Sequence, residues 1–152
     1  ECLLKTNPKE TQEIKNIVTK RPWERLQMDL VDLSKYKDFN EGFCWILNIM
    51  DCFSKFLFSF PLFTKTAVEV ASKLEFLFFE EGPPEILHSD NGLEFDNQLV
   101  EELSERLGVR IIHGRARHLQ SQGQVERLNK MIKAALVAAI GKKVDLESGT
   151  WN

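Results

Sequence analysis

The stretch FCWILNIM, residues 43–50, is the segment that says most about the fold. Its nearly continuous apolar run predicts a central strand covered on both faces, since a half-exposed strand would alternate between apolar and polar residues. The preceding segment Leu26–Leu33 (LQMDLVDL) alternates and predicts a strand, and Lys55–Phe63 predicts another. Turns are expected at Tyr36–Gly42 and Asp51–Ser54. The first half of the chain therefore predicts a three-stranded meander.

After these strands the pattern changes to helices that alternate with short strands. Thr66–Glu81 predicts a helix, because Thr66 and Glu69 form a capping box and Gly82-Pro83 ends it. Ile86–Ser89 and Val109–His113 predict a fourth and a fifth strand. The order β-β-β-α-β-α-β-α predicts an α/β fold, with a mixed five-stranded sheet flanked by helices.

Two more helices are expected in the second half of the chain. The first begins at a cap, either Asp96 or Asn97, and ends at Gly108. Its predicted apolar face carries Leu99, Leu103 and Leu107. The second covers Gln124–Ile140 and follows a polar loop, Gly114–Gly123.

The composition is that of one globular domain. The chain has 152 residues, 43% hydrophobic and 28% charged, which is enough to bury a core. The net charge of −3 excludes a protein that is basic all over, but the charge is segregated. Residues 110–133 hold six Lys/Arg and one acid, whereas residues 69–105 hold eleven acids and one base. A local basic surface is therefore expected near the C-terminal helix.

Three cysteines, Cys2, Cys44 and Cys52, are too few for a disulfide framework. The last two lie in apolar stretches and are expected to be buried, which favours a reducing, intracellular compartment. No apolar run approaches the ~18 residues of a membrane span, so no membrane partner is expected. Residues 1–22 are interpreted as a linker or arm, 23–141 as the core domain, and 142–152 as a truncated C-terminal extension.

Three carboxylates lie at element ends where α/β folds place their sites. Asp29 lies in the first strand, Asp90 follows the fourth strand, and Glu126 opens the last helix. Converging carboxylates need a compensating charge, and Mg²⁺ takes one or two carboxylates together with substrate phosphates. Two such ions about 3.5–4 Å apart would clamp an in-line displacement at phosphorus.

The predicted last helix supports a phosphate-bearing substrate. Helical spacing groups Glu126 with Asn129, Lys130 and Lys133 on one face. The opposite, core-facing stripe is predicted to be Val125, Leu128, Ile132, Ala135 and Ala139. Lysines one and two turns beyond a carboxylate suit an approaching phosphate backbone.

Three sequence blocks in order resemble the catalytic core of retroviral and gypsy-type retrotransposon integrases. They are Asp29, the block HSDNGLEF at residues 88–95, and the block GRARHLQSQGQVER at residues 114–127. The 35 residues between Asp90 and Glu126 match that family's spacing, and the similarity covers roughly residues 21–141.

The resemblance implies an RNase H-like fold and a DDE polynucleotidyl transferase that processes DNA 3′ ends and joins them to target DNA. It implies that Asp29, Asp90 and Glu126 bind two Mg²⁺ or Mn²⁺ ions and act as the catalytic residues. It also implies a nuclear protein that works as a homodimer or a higher homo-oligomer. The implied DNA-binding residues are Arg115, Arg117, His118, Gln120, Gln122, Gln124, Asn129, Lys130 and Lys133.

The chain departs from the family pattern in its loop and leaves one feature open at its start. The loop has Ala116 and Leu119 where the family often has proline, which widens the loop's conformational ensemble and puts turnover in question. Cys2 is either the last ligand of a preceding zinc module or a terminal cysteine without a role.

Simpler structural interpretations exist for each residue. Asp29 alone is compatible with a turn cap, Asp90 with an ordinary Asn-Gly turn, and Glu126 with a first-turn acid that the helix dipole favours. Asp32 and Asp51 are rival carboxylates, of which Asp51 is interpreted as structural. The phenylalanines at 76, 78 and 79 are either core or part of a dimer interface.

Two other functions remain open. A copy captured by a host genome would serve as a DNA-binding or protein-interaction module with little or no catalysis. A nuclease of the same fold is a weaker alternative, because the QGQVER motif with its following lysines favours an integrase.

Overall fold

The structure is a computed structural model that describes residues 18–90, 92, 94–114 and 126–139. The five strands are β1 (Arg25–Asp32), β2 (Trp45–Asp51), β3 (Leu57–Leu62), β4 (Ile86–Ser89) and β5 (Arg110–His113). The helices are α1 (Ala67–Glu81), α2 (Gln98–Leu107) and α3 (residues 126–139), with a short 3-10 helix at Ser34–Phe39.

The strands form one mixed sheet in the order β3-β2-β1-β4-β5. β1 pairs antiparallel with β2 and parallel with β4, while β2–β3 is antiparallel and β4–β5 is parallel. The predicted meander and the predicted mixed five-stranded α/β fold are therefore confirmed. The parallel ladder matters for function, because it brings the carboxyl ends of β1, β4 and β5 to the same edge of the sheet.

Both faces of the central strands are covered, as the FCWILNIM run predicts. On one face α1 and α2 pack through Leu74, Leu77, Val100 and Leu103 against strand residues that include Leu47. On the other face α3 packs through Ile132 and Leu136 against Val31, Leu33 and Ile46. The central strand is therefore buried at every position from residue 46 to residue 51.

The predicted ends of α1 and α2 are confirmed, with the α2 cap now resolved. Thr66 caps α1, its side chain accepting from the backbone N–H of Glu69. Asn97, not Asp96, caps α2 by accepting from the backbone N–H of Val100 at 3.1 Å. Gly108 ends α2 in the left-handed conformation, with a φ of 70°.

The predicted apolar faces of the last two helices are partly wrong. In α2 the buried residues are Val100, Leu103 and Ser104, whereas Leu99 is 42% exposed. In α3 Ala135 and Ala139 are exposed, and the half-buried stripe includes Asn129 and Lys133 instead. The difference has a physical reason: α3 packs on the sheet through Ile132 and Leu136, and Asn129 and Lys133 lie on the same side of the helix.

Several smaller expectations can be compared with the described residues. Cys52 is buried and Cys44 is half-buried, and both are free thiols. No helix in the described ranges is long and apolar enough to span a membrane. Cys2, residues 1–17 of the predicted arm and the predicted extension 142–152 lie outside the described residues.

Candidate functional site

Asp29 lies in β1, and Asp90 directly follows the end of the neighbouring strand β4. The parallel pairing of the two strands runs as far as Gln27 beside His88, so Asp29 and Asp90 both come just after the last paired residues, at the same edge of the sheet. The charge of Asp90 reaches Asp29 and contributes to raising its pKa. The structure thus brings together two of the three predicted carboxylates.

The surroundings of Asp29 hold its carboxylate in a fixed orientation. The backbone N–H of Leu30 donates to Oδ1 at 2.9 Å, and Asn129 Nδ2 donates to Oδ2. Burial raises the pKa of Asp29 above its ordinary value of 3.8, the two hydrogen bonds oppose the rise, and the negative charge of Asp90 adds to it. A half-buried carboxylate beside a second one is a pair that a cation would stabilise.

Asp90 is exposed and begins a tight turn. Its Oδ1 accepts from the backbone N–H of Gly92 at 2.9 Å. A Cβ at Gly92 would lie 2.9 Å from that same Oδ1 and 2.5 Å from Oε2 of Glu94, so the two carboxylates flank this glycine. Glu94 is in turn held by Lys65 at 2.8 Å. Any side chain at residue 92 would therefore displace one or both of these carboxylates.

Glu126 is the first residue of α3 that the structure describes, and it is exposed. One turn later, Asn129 reaches Asp29, so this end of α3 lies over β1. In the ranges the structure describes, however, no three His, Cys, Asp or Glu side chains are close enough to hold a metal ion. The predicted ligand role of Glu126 therefore stays a prediction.

Asn129 lies in the sheet-facing stripe of α3. Its Nδ2 donates to Asp29, and its Oδ1 accepts from Nδ2 of Asn48 at 2.9 Å. Asn48 is buried in β2, and its Oδ1 accepts from the Ser59 hydroxyl at 2.6 Å. Sequence reasoning missed Asn48 and Ser59. The available signal was Asn48 itself, an amide inside an apolar run.

The structure describes only some of the predicted DNA-binding residues. Lys130 is exposed and Lys133 is half-buried, and both lie on α3. Arg115, Arg117, His118, Gln120, Gln122 and Gln124 lie outside the described residues. The DNA contacts, including that of Asn129, stay predictions.

Both rival carboxylates have structural partners. Asp32 accepts from the backbone N–H of Ser34 at 2.8 Å, and bonds from Ser34 lower its pKa, with Lys133 and Lys65 adding to the effect. Asp51 is 2% exposed and accepts from the Ser54 hydroxyl at 2.6 Å and from three backbone N–H groups. Burial alone would raise the pKa of Asp51, but these bonds outweigh it and lower the pKa. The structural interpretation of Asp51 is supported.

Two histidines brace the ends of β4 and β5 close to Asp90. His88 Nε2 donates to the carbonyl of Gly114 at 2.7 Å, and burial lowers the pKa of His88, which keeps the ring neutral at pH 7. Ser89 and His113 form a second bond at 3.0 Å. These contacts anchor Gly114, from which the predicted DNA-binding loop departs.

The family model described as "Integrase core domain" matches residues 19–118, about two thirds of the chain. The chain belongs to the integrase core domain family. The predicted resemblance is therefore confirmed at the level of the family. The matched residues include Asp29 and Asp90, the two carboxylates at the shared edge of β1 and β4.

Relatives of this integrase core domain include viral and human proteins. It is 36% identical over 120 residues to the Pol polyprotein of feline endogenous virus ECE1, covering 78% of the chain and 11% of the polyprotein. It is 38% identical over 108 residues to human KRAB-A domain-containing protein 2, covering 70% of the chain and 22% of that protein. The chain thus spans only a small part of the length of either relative.

A solved structure with the same architecture is the catalytic core domain of BIV integrase. It superposes with a TM-score of 0.64 and is 28% identical, covering 78% of this chain and 72% of that one. The fold of this integrase core domain is accordingly that of an integrase catalytic core.

Proposed function

We propose that this domain is the catalytic core of a DDE polynucleotidyl transferase that processes DNA 3′ ends and joins them to a target strand. The observation that carries the proposal is that Asp29 in β1 and Asp90 after the parallel strand β4 share one edge of an integrase-type sheet, close enough for the charge of Asp90 to act on Asp29. Membership of the integrase core domain family supports the class of reaction.

The residues fit a divalent metal site with oxygen ligands. Asp29 and Asp90 offer two carboxylates, and burial raises the pKa of Asp29, with the negative charge of Asp90 adding to the rise. Mg²⁺ is commonly held by one or two carboxylates together with substrate phosphates, so this pair is sufficient for a first ion. We propose Glu126, at the start of the helix above Asp29, as the third ligand. Bound Mg²⁺ or Mn²⁺, two ions with substrate, would supply charge stabilisation at the transferred phosphate.

The protein's own groups orient and attract the substrate. Asn129 and the Leu30 backbone hold the Asp29 carboxylate, so that it needs no reorientation when the substrate arrives. Gly92 holds Asp90 in a turn. The nucleophile is water in end processing and the DNA 3′-hydroxyl in joining, so no covalent enzyme intermediate forms.

The proposed DNA surface runs along α3. Lys130 and Lys133 stand one and two turns beyond Glu126, where they would meet phosphates as point charges. Together with the predicted basic loop at 115–124, they would contact the backbone of the duplex more than its bases. A protein acting on chromosomal DNA is expected in the nucleus.

A homodimer is proposed through the exposed aromatic side of α1. Phe78 is buried in the core, but Phe76 is 56% exposed and Phe79 is 74% exposed. Phe76 also packs edge-to-face against Phe60 of β3 at 6.3 Å. An exposed aromatic patch of this kind is typical of protein–protein contacts. Sedimentation of the wild type against Phe79→Ser tests this surface, and a wild-type monomer at high concentration would contradict it.

The function is tested with a branched oligonucleotide that mimics an integrated DNA end. Integrase cores are expected to reverse strand transfer on such a substrate without other domains. The purified chain is assayed with Mn²⁺ and with Mg²⁺, and Glu126→Gln is the matched variant, since it keeps the shape and removes the charge. The proposal predicts metal-dependent resolution that Glu126→Gln abolishes. Resolution that Glu126→Gln leaves intact would contradict it.

A second function is favoured by one comparison. The match to human KRAB-A domain-containing protein 2 shows that integrase-like sequence also occurs in a host protein. The alternative is a domesticated module that binds DNA or protein with little or no catalysis. Duplex binding without resolution, and without a metal-induced rise in Tm, would select this alternative.

A further inference from the structure

A row of polar side chains crosses the sheet at the level of Asp29. Strand pairing places Asn48 opposite Asp29 and Ser59 opposite Asn48. Asn129 of α3 lies above this row and joins it. The row begins at the exposed edge strand β3 and ends at the candidate site.

Asn48 is an unexpected residue in the middle of a buried apolar strand. It is 3% exposed, and its neighbours along β2 are Leu47 and Ile49, both fully buried. Asparagine is disfavoured in strands, and a buried amide is costly unless its donors and acceptor are bonded. Among the described residues, the side-chain partners of Asn48 are Asn129 and Ser59.

The hydrogen bonds of the row run in a single direction. An ionised Asp29 can only accept, so the Asn129 atom that faces it must be Nδ2. The other atom of that amide, Oδ1, then faces Asn48, which must present its own Nδ2. This leaves Asn48 Oδ1 to accept from the Ser59 hydroxyl. Asp29 thus sets the amide orientation of Asn129, and Asn129 sets that of Asn48.

We propose that Asn48, supported by Ser59, is a positioning residue that fixes the Asn129 amide and, through it, the Asp29 carboxylate. The inference rests on the proposed function, in which Asp29 binds a divalent ion. Neither Asn48 nor Ser59 touches the substrate in this account. Their effect is to hold the Asn129 side chain in place through its Oδ1, so that its Nδ2 stays within hydrogen-bonding distance of Asp29.

The test compares two variants at Asn48 with a matched control in the full chain. Asn48→Leu removes the polar group while retaining an apolar side chain of similar size. Asn48→Asp presents only acceptors, which draws the Asn129 Nδ2 away from Asp29. Ile46→Val is the control, because Ile46 lies on the same strand and face and packs against α3 without a polar contact.

Two readouts are measured, neither of which is catalytic activity. NMR follows the side-chain amide signals of Asn129 and their exchange with solvent in the metal-free protein. Calorimetric titration with Mn²⁺ alone gives the metal affinity. We expect Asn48→Leu to lose the protected Asn129 signals and about tenfold in Mn²⁺ affinity, and Asn48→Asp to lose more, while Ile46→Val changes neither. Ser59→Ala, at the exposed edge, is expected to show the same effects to a smaller extent without disturbing the fold.

The outcomes separate this inference from the proposed function. Asn129 signals and Mn²⁺ affinity that stay as in the wild type in Asn48→Leu and Ser59→Ala would overturn the inference and leave the proposed function standing. A wild-type protein that binds no Mn²⁺ would overturn the proposed function. In that case the Asn129 signals alone decide whether Asn48 orients the amide.

Discussion

Gly92→Ala is expected to weaken metal binding while leaving the stability of the fold almost unchanged. The backbone φ of Gly92 is not positive, so alanine is compatible with the main chain. The added Cβ would lie 2.5 Å from Glu94 Oε2 and 2.9 Å from Asp90 Oδ1, and both distances are too short for carbon and oxygen. Both carboxylates must therefore move.

The two displacements have different consequences. Glu94 can rotate away and give up its pair with the exposed Lys65, which costs little because solvent screens such a pair. Replacing glycine by alanine stabilises the folded state by about 0.4–1 kcal/mol, because it reduces the conformational entropy of the unfolded chain. The free energy of unfolding should therefore change by less than about 1 kcal/mol. Asp90 has a short side chain and cannot avoid the Cβ without leaving its position beside Asp29.

Calorimetry with Mn²⁺ and thermal unfolding measure these two effects separately. We expect Gly92→Ala to lose about 10- to 100-fold in Mn²⁺ affinity, the range typical of disturbed ligand orientation, with little change in Tm. The double variant Gly92→Ala/Glu94→Ala removes the 2.5 Å contact and keeps the 2.9 Å contact. Wild-type affinity in Gly92→Ala, or its full recovery in the double variant, would refute the reasoning about Asp90.

Three further predictions concern stability and DNA binding. Asp51→Asn should lower the free energy of unfolding by about 2–3 kcal/mol in urea denaturation, because a buried acceptor of four hydrogen bonds loses its charge; a loss below about 0.5 kcal/mol would contradict the structural role. Hydrogen bonds hold the folded-state pKa values of Asp51 and Glu69 below their ordinary 3.8 and 4.5. The two carboxylates therefore stabilise the fold above pH 4.5, and this stabilisation is lost as the pH falls through the lowered values, so Tm should fall on acidification below pH 4.5. A Tm that rises there would show that Asp29, whose pKa is shifted upward, dominates the pH dependence. Replacing Lys130 and Lys133 by Gln should reduce the slope of log affinity against log salt concentration by about 0.9 per lysine, as measured for a DNA duplex by fluorescence anisotropy. An unchanged slope would show that the DNA binds elsewhere on the protein.

The sheet was predictable because its signals are local. The apolar run at 43–50 identified the central strand, and Gly82 and Gly108 marked the helix ends. The buried face of α2 was harder to predict, because Leu99 and Val100 are adjacent in sequence and only the packing of α2 on α1 decides which of them is buried.

The sequence predicted which two carboxylates converge at the candidate site, but it did not predict the hydrogen bonds that hold them. Asp29 and Asp90 were expected to converge because the ends of neighbouring strands meet in α/β sheets. The row from Ser59 through Asn48 to Asn129 was not foreseen, because it depends on strand register and on the rotation of α3. These contacts join residues 11 and 81 positions apart, and no local pattern encodes such pairings.

The central claim is that Asp29 and Asp90 together hold a divalent ion. Anomalous diffraction from crystals of the chain grown with Mn²⁺ tests it most directly. We expect an anomalous peak within coordination distance of both carboxylates, and we expect Asp29→Asn to remove it. Crystals saturated with Mn²⁺ that show no peak between these two side chains would contradict it.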